Sequence, residues 1–276
     1  MGEPAFTPRL VVIRGAGDLA SGIAHRLHRA RLAVVMTDIA QPRALRRAVS
    51  FATAIYEGAV TVEGVEGRRA ASGAEALRLV REGCIPVLID PECRILQELR
   101  PEVLVDAIMA KRNTGTRINW APLVIGVGPG FTAGADVHAV VETQRGHHLG
   151  RIIYQGSAAA NTGIPGAVLG YTRERVLWAP AAGTLRGGLP IGSRVEAGQA
   201  VAEVDGQPVT ATLSGVLRGL MHDGLTVDAG EKIGDVDPRG VPEYCFTIGD
   251  KARAIGGGVL EAILHARAGE WWGREA

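Results

Sequence analysis

The chain has 276 residues, 46% hydrophobic and 21% charged, enough for two modules and a sizeable core. A formal net charge of +1 and an aromatic content of 4% argue against a nucleic-acid-binding surface. Three cysteines without CxxC or metal-ligand spacing, no apolar run long enough for a membrane span and no basic-then-apolar leader predict a cytoplasmic protein with no membrane partner.

The first element is the most informative. The apolar run Val11-Val12-Ile13 leads through Arg14 into Gly15-Ala16-Gly17-Asp18-Leu19-Ala20, and a second apolar run ends at Thr37-Asp38. Strand, Gly-x-Gly-x-x-Ala turn, helix, strand and terminal acid are the order of a dinucleotide-binding βαβ unit. In that reading Gly15 permits the tight turn and Gly17 admits a pyrophosphate to the helix N-terminus. Asp38 takes the ribose, and Arg14 and Asp18 flank the phosphate turn.

Further along, strands are expected at 10–14, 33–38, 53–56, 86–89, 103–106 and 123–127, with helices at 18–30, 42–49, 72–82 and 93–99 and a Gly-punctuated hairpin over 57–71. The alternation predicts a Rossmann-like parallel sheet, whose ligands sit beyond the carboxyl ends of the strands. Asp38, Asp90 and Asp106 end three of those strands. Asp90 precedes Pro91 and serves equally well as a helix cap. Asp106 precedes a polar loop carrying Lys111, Arg112 and Asn113.

Residues 126–166 are dense in polar chemistry. Gly128-Pro129-Gly130 suits a type II turn whose N–H groups form an anion nest, or else a tight crossover. Asp136, His138 and Glu142 share one face if 136–143 is a strand. That arrangement suits proton transfer but is also that of an ordinary half-solvated strand, and no metal site is assigned. Arg145 and His147 are candidate anion contacts, and the loop Asn161–Gly166 is placed to cover the same ligand.

A second composition begins near residue 180. Ten identities recur at an offset of 32, from Gly183/Gly215 through Leu185/Leu217 and Arg186/Arg218 to Val204/Val236 and Asp205/Asp237. Short strands and Gly turns in two such halves predict a small all-β barrel-sandwich module of the biotinyl/lipoyl type. Its central hairpin, Val204-Asp205-Gly206-Gln207, has no carrier lysine, which leaves a structural platform, dimer surface or partner dock. Cys245 with Lys251 nearby is either an activated thiol or a small buried hydrophobe. Gly256-Gly257-Gly258 opens an apolar helix expected to return to the first domain, and Trp271-Trp272 is expected at a surface or oligomer contact. The expected division is 1–179, 180–237 and 238–276.

Phrases spanning nearly the whole chain carry a resemblance: VIRGAGDLASGIAHRLHRA, DAIMAKRN, GVGPGFTAGADVHAVVETQRGH, NTGIPG, KIGDVDPR and DKARAIGGGVLEAIL. The chain resembles the selenium-dependent molybdenum hydroxylase system proteins of the YqeB type, and is more distantly similar to xanthine-dehydrogenase accessory proteins. The resemblance implies an accessory role in maturing molybdenum hydroxylases that carry labile selenium, and it brings no established catalytic residue. The expected function is therefore a maturation factor that binds a nucleotide-bearing ligand, such as molybdopterin dinucleotide, and meets a molybdenum hydroxylase or its maturation machinery as a homo-oligomer. Gly15, Gly17, Gly128 and Gly130 would hold phosphates; Asp106, Lys111, Asn113 and Arg145 would orient the polar head; Cys245 would handle sulfur or selenium. One alternative is an NAD(P)-dependent oxidoreductase with His138 or Lys111 as proton donor. The other is a non-catalytic scaffold that docks the hydroxylase through residues 180–237.

Overall fold

A computed structural model describes residues 10–266. The N-terminal leader reading and the Trp271-Trp272 contact lie outside the described residues. In chain order the first unit contains β1 (Leu10–Arg14), α1 (Asp18–Arg29), β2 (Ala33–Asp38), α2 (Thr53–Glu57), β3 (Ala59–Val62), β4 (Val65–Ala70), α3 (Gly73–Arg81), β5 (Ile85–Ile89), α4 (Leu96–Leu99), β6 (Val103–Asp106), β7 (Leu123–Val127), β8 (Ala139–Val141) and β9 (Ile152–Ile153). They form one nine-stranded sheet ordered β3-β4-β5-β2-β1-β6-β7-β8-β9. The central strands β1, β2, β6 and β7 run apolar up to their carboxyl ends, where Arg14, Thr37-Asp38 and Asp106 stand, because both faces of the sheet are covered. One face packs α1 and the hydrophobic residues of the C-terminal helix; the other packs Leu79, Cys93, Leu104 and Phe131.

The second unit contains β10 (Val176–Trp178), β11 (Gly183–Arg186), β12 (Arg194–Val195), β13 (Ala200–Val204), β14 (Gln207–Thr210), β15 (Gly215–Leu220), β16 (Thr226–Val227) and β17 (Lys232–Asp237). These make two four-stranded sheets, β10-β17-β15-β12 and β14-β13-β11-β16. The sequence repeat is visible in the pairing. β11 of the first half pairs with β16 of the second through Gly183 and Val227, and β15 pairs with β12 through the repeat-equivalent Gly215 and Val195. Each half thus completes the other's sheet, and their inner faces share one core around Leu185, Val204, Leu217 and Val236. Asp205 and Gly206 both adopt positive φ, 44° and 81°, as a two-residue hairpin turn requires.

The fold class differs from the expected Rossmann-like parallel sheet with a biotinyl/lipoyl-like barrel. The large sheet is mixed. Glu63 and Gly64, with φ of 44° and 78°, turn β3 antiparallel against β4, and β9 folds back antiparallel on β8 at the far edge. The second unit is two open antiparallel sheets: β10, from outside the repeat, extends one and β14 the other. Short-range turn chemistry at both sheet edges decided this against the strand–helix alternation.

Two local expectations also change. Residues 53–56 form helix α2, because Phe51 N–H donates to Ser21 Oγ (2.8 Å), Ala52 N–H donates to Ala16 O (2.9 Å) and Gly58 ends the turn at φ 83°. Residues 42–49 are a strap with one 3-10 turn, Arg47–Val49. The second unit holds it through one backbone and one side-chain bond: Leu220 N–H donates to Leu45 O (2.9 Å), and Arg47 Nε donates to Leu220 O (2.8 Å). Arg43 adds an ion pair to Glu231 (2.7 Å), so the strap joins the two units.

After the second unit come α5 (Glu243–Phe246) and α6 (Asp250–Ala266). Helix α6 packs on α1 at glycine distance. A Cβ on Gly22 would lie 2.6 Å from Ala252 Cβ, and one on Gly256 would lie 3.1 Å from Gly22 O. Among the described residues no helix is long and apolar enough to cross a membrane.

Candidate functional site

Where the two units meet, a cavity of about 700 Å³ opens beyond the carboxyl ends of β1, β2 and β6. That volume suits a small-molecule ligand. The first unit lines it with Gly15, Gly17, Asp18, Asp38 and the strap 42–46; the second with Arg175, Arg218, Lys232 and Asp235; the α6 start with Gly249, Asp250 and Lys251. The first turns of α1 and α6 therefore open into one space, each with backbone N–H groups that have no partner within its helix. Gly15 holds φ 103°, and a Cβ there would meet the Ala107 carbonyl at 3.1 Å, so the turn needs glycine.

The electrostatics are lopsided. Four lining cations are matched to carboxylates: Arg14 to Asp106 (3.1 Å), Arg43 to Glu231 (2.7 Å), Arg145 to Asp250 (2.5 Å) and Arg175 to Asp235 (2.6 Å). Among the described residues, Arg46, Arg218, Lys232 and Lys251 have no carboxylate at hydrogen-bond distance. Arg46 gives its Nη2 to the carbonyls of Tyr244 and Thr247 and stands 3.7 Å from Asp18. Arg218 is 3.7 Å from Asp237, whose carboxylate is already held by Arg239 at 2.6 Å. The Nε atoms of Arg46 and Arg218 are buried and without a hydrogen-bond partner among the described residues. Neither lysine ammonium has an ion pair there, and burial pushes both below the usual lysine range. Such a wall is costly unless an anion neutralises it.

The residues expected from sequence divide between the cavity and the scaffold. Gly15, Gly17, Asp18, Asp38 and Arg145 line the cavity. Arg14 also borders it, but its guanidinium is consumed by Asp106, Thr114, Thr116 and the Pro91 carbonyl. Asp106 is closed in turn, accepting from Arg14, from Thr116 Oγ1 (2.6 Å) and from Ile108 N–H (3.2 Å). Asp38 accepts from Ala16 N–H (2.8 Å) and Ile39 N–H (2.8 Å), so it braces the glycine turn; burial raises its pKa against those two bonds. Asp90 caps a turn through Ile95 N–H (2.8 Å).

The remaining expected residues stand away from the cavity. Asn113 accepts from Gly115 and Thr116 N–H and holds its own loop. Lys111 is exposed on that loop. Gly128 and Gly130 belong to a tight crossover: a Cβ on Gly130 would lie 2.5 Å from Arg112 Cα. His138 accepts from Val124 N–H (3.0 Å) and continues the β7–β8 ladder. Cys245 is fully buried, its thiol toward Leu217 O, and burial raises its pKa; the cations closest to it electrostatically are Arg218 and Arg46 rather than Lys251. Among the described residues no group of three or more His, Cys, Asp or Glu is placed to hold a metal ion.

No protein-family profile matches the chain. Over 256 residues, 93% of the chain, it is 52% identical to the uncharacterized protein YqeB of Escherichia coli (strain K12). It spans 47% of that relative's length. Two solved structures show faint likeness at 12% identity, each covering 83% of this chain and 85% of its own: the ectoine utilization protein EutE from Ruegeria pomeroyi, in a product-bound structure (TM-score 0.25), and a succinylglutamate desuccinylase from Silicibacter sp. TM1040 (TM-score 0.24). Neither likeness bears on the fold or the chemistry of the site.

The cavity residues that sequence reasoning missed are Arg46, Arg175, Arg218 and Lys232; Lys251 was considered only as a neighbour of Cys245. A signal existed for two of them. Arg218 stands in Gly215-Val-Leu-Arg-Gly-Leu and Lys232 opens Lys-Ile-Gly-Asp-Val-Asp, strands otherwise almost wholly buried. A cation in such a strand needs a partner or a ligand.

Proposed function

We propose that this chain binds a phosphate-bearing, nucleotide-type ligand in the cavity between its two units and acts as an accessory factor in the maturation of molybdenum hydroxylases. The observation that carries the binding reading is the cation wall: Arg46, Arg218, Lys232 and Lys251 lack a hydrogen-bonded carboxylate among the described residues and face the same space as the first turns of α1 and α6. Arginine forks and helix N-termini are the groups that recognise phosphate. Gly17, with open space where a Cβ would stand, leaves the α1 turn accessible. Molybdopterin dinucleotide is the ligand that joins this chemistry to the resemblance in the sequence. The oxidoreductase alternative is the weaker reading, because neither His138 nor Lys111 lines the cavity.

Genetic complementation tests the role. A host lacking this gene should lose most of its selenium-dependent molybdenum hydroxylase activity, and the wild-type gene should restore it. A Lys232→Met, Lys251→Met variant that folds normally should not. Full hydroxylase activity without the gene would overturn the accessory role.

A further inference from the structure

The glycine turn after β1 is the obvious seat for a phosphate, but the cation geometry favours another place. Gly249 immediately precedes α6, a helix of 17 residues. A Cβ on Gly249 would lie 3.4 Å from Arg46 Nη1 and 3.5 Å from Arg218 Nη2, so two guanidinium groups from different units flank one backbone position. They come from the strap and from β15. Their side chains are 11% and 12% exposed, and the Nε of each is buried without a hydrogen-bond partner among the described residues. Each has its carboxylate only at 3.7 Å, Asp18 for Arg46 and Asp237 for Arg218, so an anion placed between them would be attracted by both. Both helices carry an aspartate in the first turn, Asp18 in α1 and Asp250 in α6, but Asp250 is neutralised by Arg145 at 2.5 Å whereas Asp18 has a cation only at 3.7 Å.

We infer that the ligand's phosphoryl group binds at Gly249, forked between Arg46 and Arg218 at the N-terminus of α6, rather than on the Gly15–Gly17 turn. This rests on the binding reading above and narrows it to one subsite. Gly249 leaves room for both guanidinium groups to approach the anion, and the α6 N-terminus adds a favourable dipole. The remaining cavity, with Gly17, Asp38 and the strap, is left for the uncharged part of the ligand. Because Arg46 and Arg218 belong to different units, the phosphoryl group ties the two together.

The test is calorimetric titration of the full chain with inorganic pyrophosphate and with ADP, each variant first checked for a wild-type melting profile. Arg218→Met should weaken both probes by about tenfold or more, the loss expected for a charge-assisted contact, and Gly249→Ala, whose Cβ would stand between the two guanidinium groups, should weaken both as well. Arg218→Lys keeps the charge but loses the fork and should recover only part of the affinity. Gly17→Ala, whose Cβ meets no atom within 4 Å, should cost pyrophosphate, which has no uncharged part, clearly less affinity than Gly249→Ala does. A loss in Gly17→Ala equal to that in Gly249→Ala would overturn the subsite and leave the cavity reading standing. Wild-type protein that binds neither probe would overturn the cavity reading itself.

Discussion

At the scale of single residues, the same polar side chains divide into those that are spent and those that are not. Arg14 and Asp106 looked like ligand contacts because they end adjacent strands. Ending adjacent parallel strands is also what brings them within 3.1 Å of each other, and they satisfy one another instead. Spacing reveals which residues reach the cavity edge but not which retain free hydrogen-bonding capacity. Asp38 illustrates the same limit, with its carboxylate turned onto Ala16 N–H. Arg145 and Asp250 form a pair across 105 residues that no local pattern shows. Arg145 holds the Asp250 carboxyl down from 3.8 to about 2. A carboxylate depressed in the folded state stabilises it above its unfolded pKa, and that contribution is lost as pH falls from 3.8 toward 2. Both partners are substantially exposed, so screening holds the contribution to about 0.2–1 kcal/mol. Asp250→Asn should therefore lower the urea midpoint at pH 5, with the gap from wild type closing by pH 2. An equal gap at both pH values would show that the pair does not supply it.

At the scale of elements, legibility followed the range of the forces involved. The β1–turn–α1–β2 segment was readable because its apolar runs, glycine turn and helix periodicity all lie within 29 residues. The β3–β4 hairpin was readable from its glycines. The strap at 42–49 and helix α2 were not, because tertiary hydrogen bonds from Leu220, Ser21 and Ala16 set their conformation against local propensity. The three consecutive glycines of α6 were recognised as a sign of close approach, and they separate by face. A Cβ on Gly258 would fall on the Gly150 carbonyl and lie 3.0 Å from Val141 Cγ1, whereas Gly257 meets nothing within 4 Å. Gly257→Ala should therefore stabilise the protein by about 0.5–1 kcal/mol through helix propensity. Gly258→Ala should destabilise it by about 1–3 kcal/mol through overpacking, despite the same propensity gain. Thermal melting checks both, and shifts of the same sign in the two variants would contradict the packing described for α6.

At the scale of the whole molecule, the site exists because two units are joined. The large sheet supplies the α1 turn, the β10-β17-β15 face supplies Arg175, Arg218 and Lys232, and α6 returns between them with Lys251. The internal repeat was plain in the sequence as ten identities at one offset, yet the role of its buried cations was not. A repeat reports how two halves cover each other and is silent on which face meets the first unit. Arg186 and Arg218 occupy equivalent repeat positions, but Arg186 is exposed and Arg218 is largely buried at the cavity. Only the assembled structure separates them.

The central claim is that this junction holds a phosphate-bearing small molecule. The most direct measurement is native mass spectrometry of wild-type protein and of the Lys232→Met, Lys251→Met variant, each equilibrated with the same small-molecule cell extract. The account predicts a discrete added mass on the wild type, released on denaturation as a phosphorus-containing compound, and its loss from the variant. An equal added mass on both proteins, or none on the wild type, would contradict it.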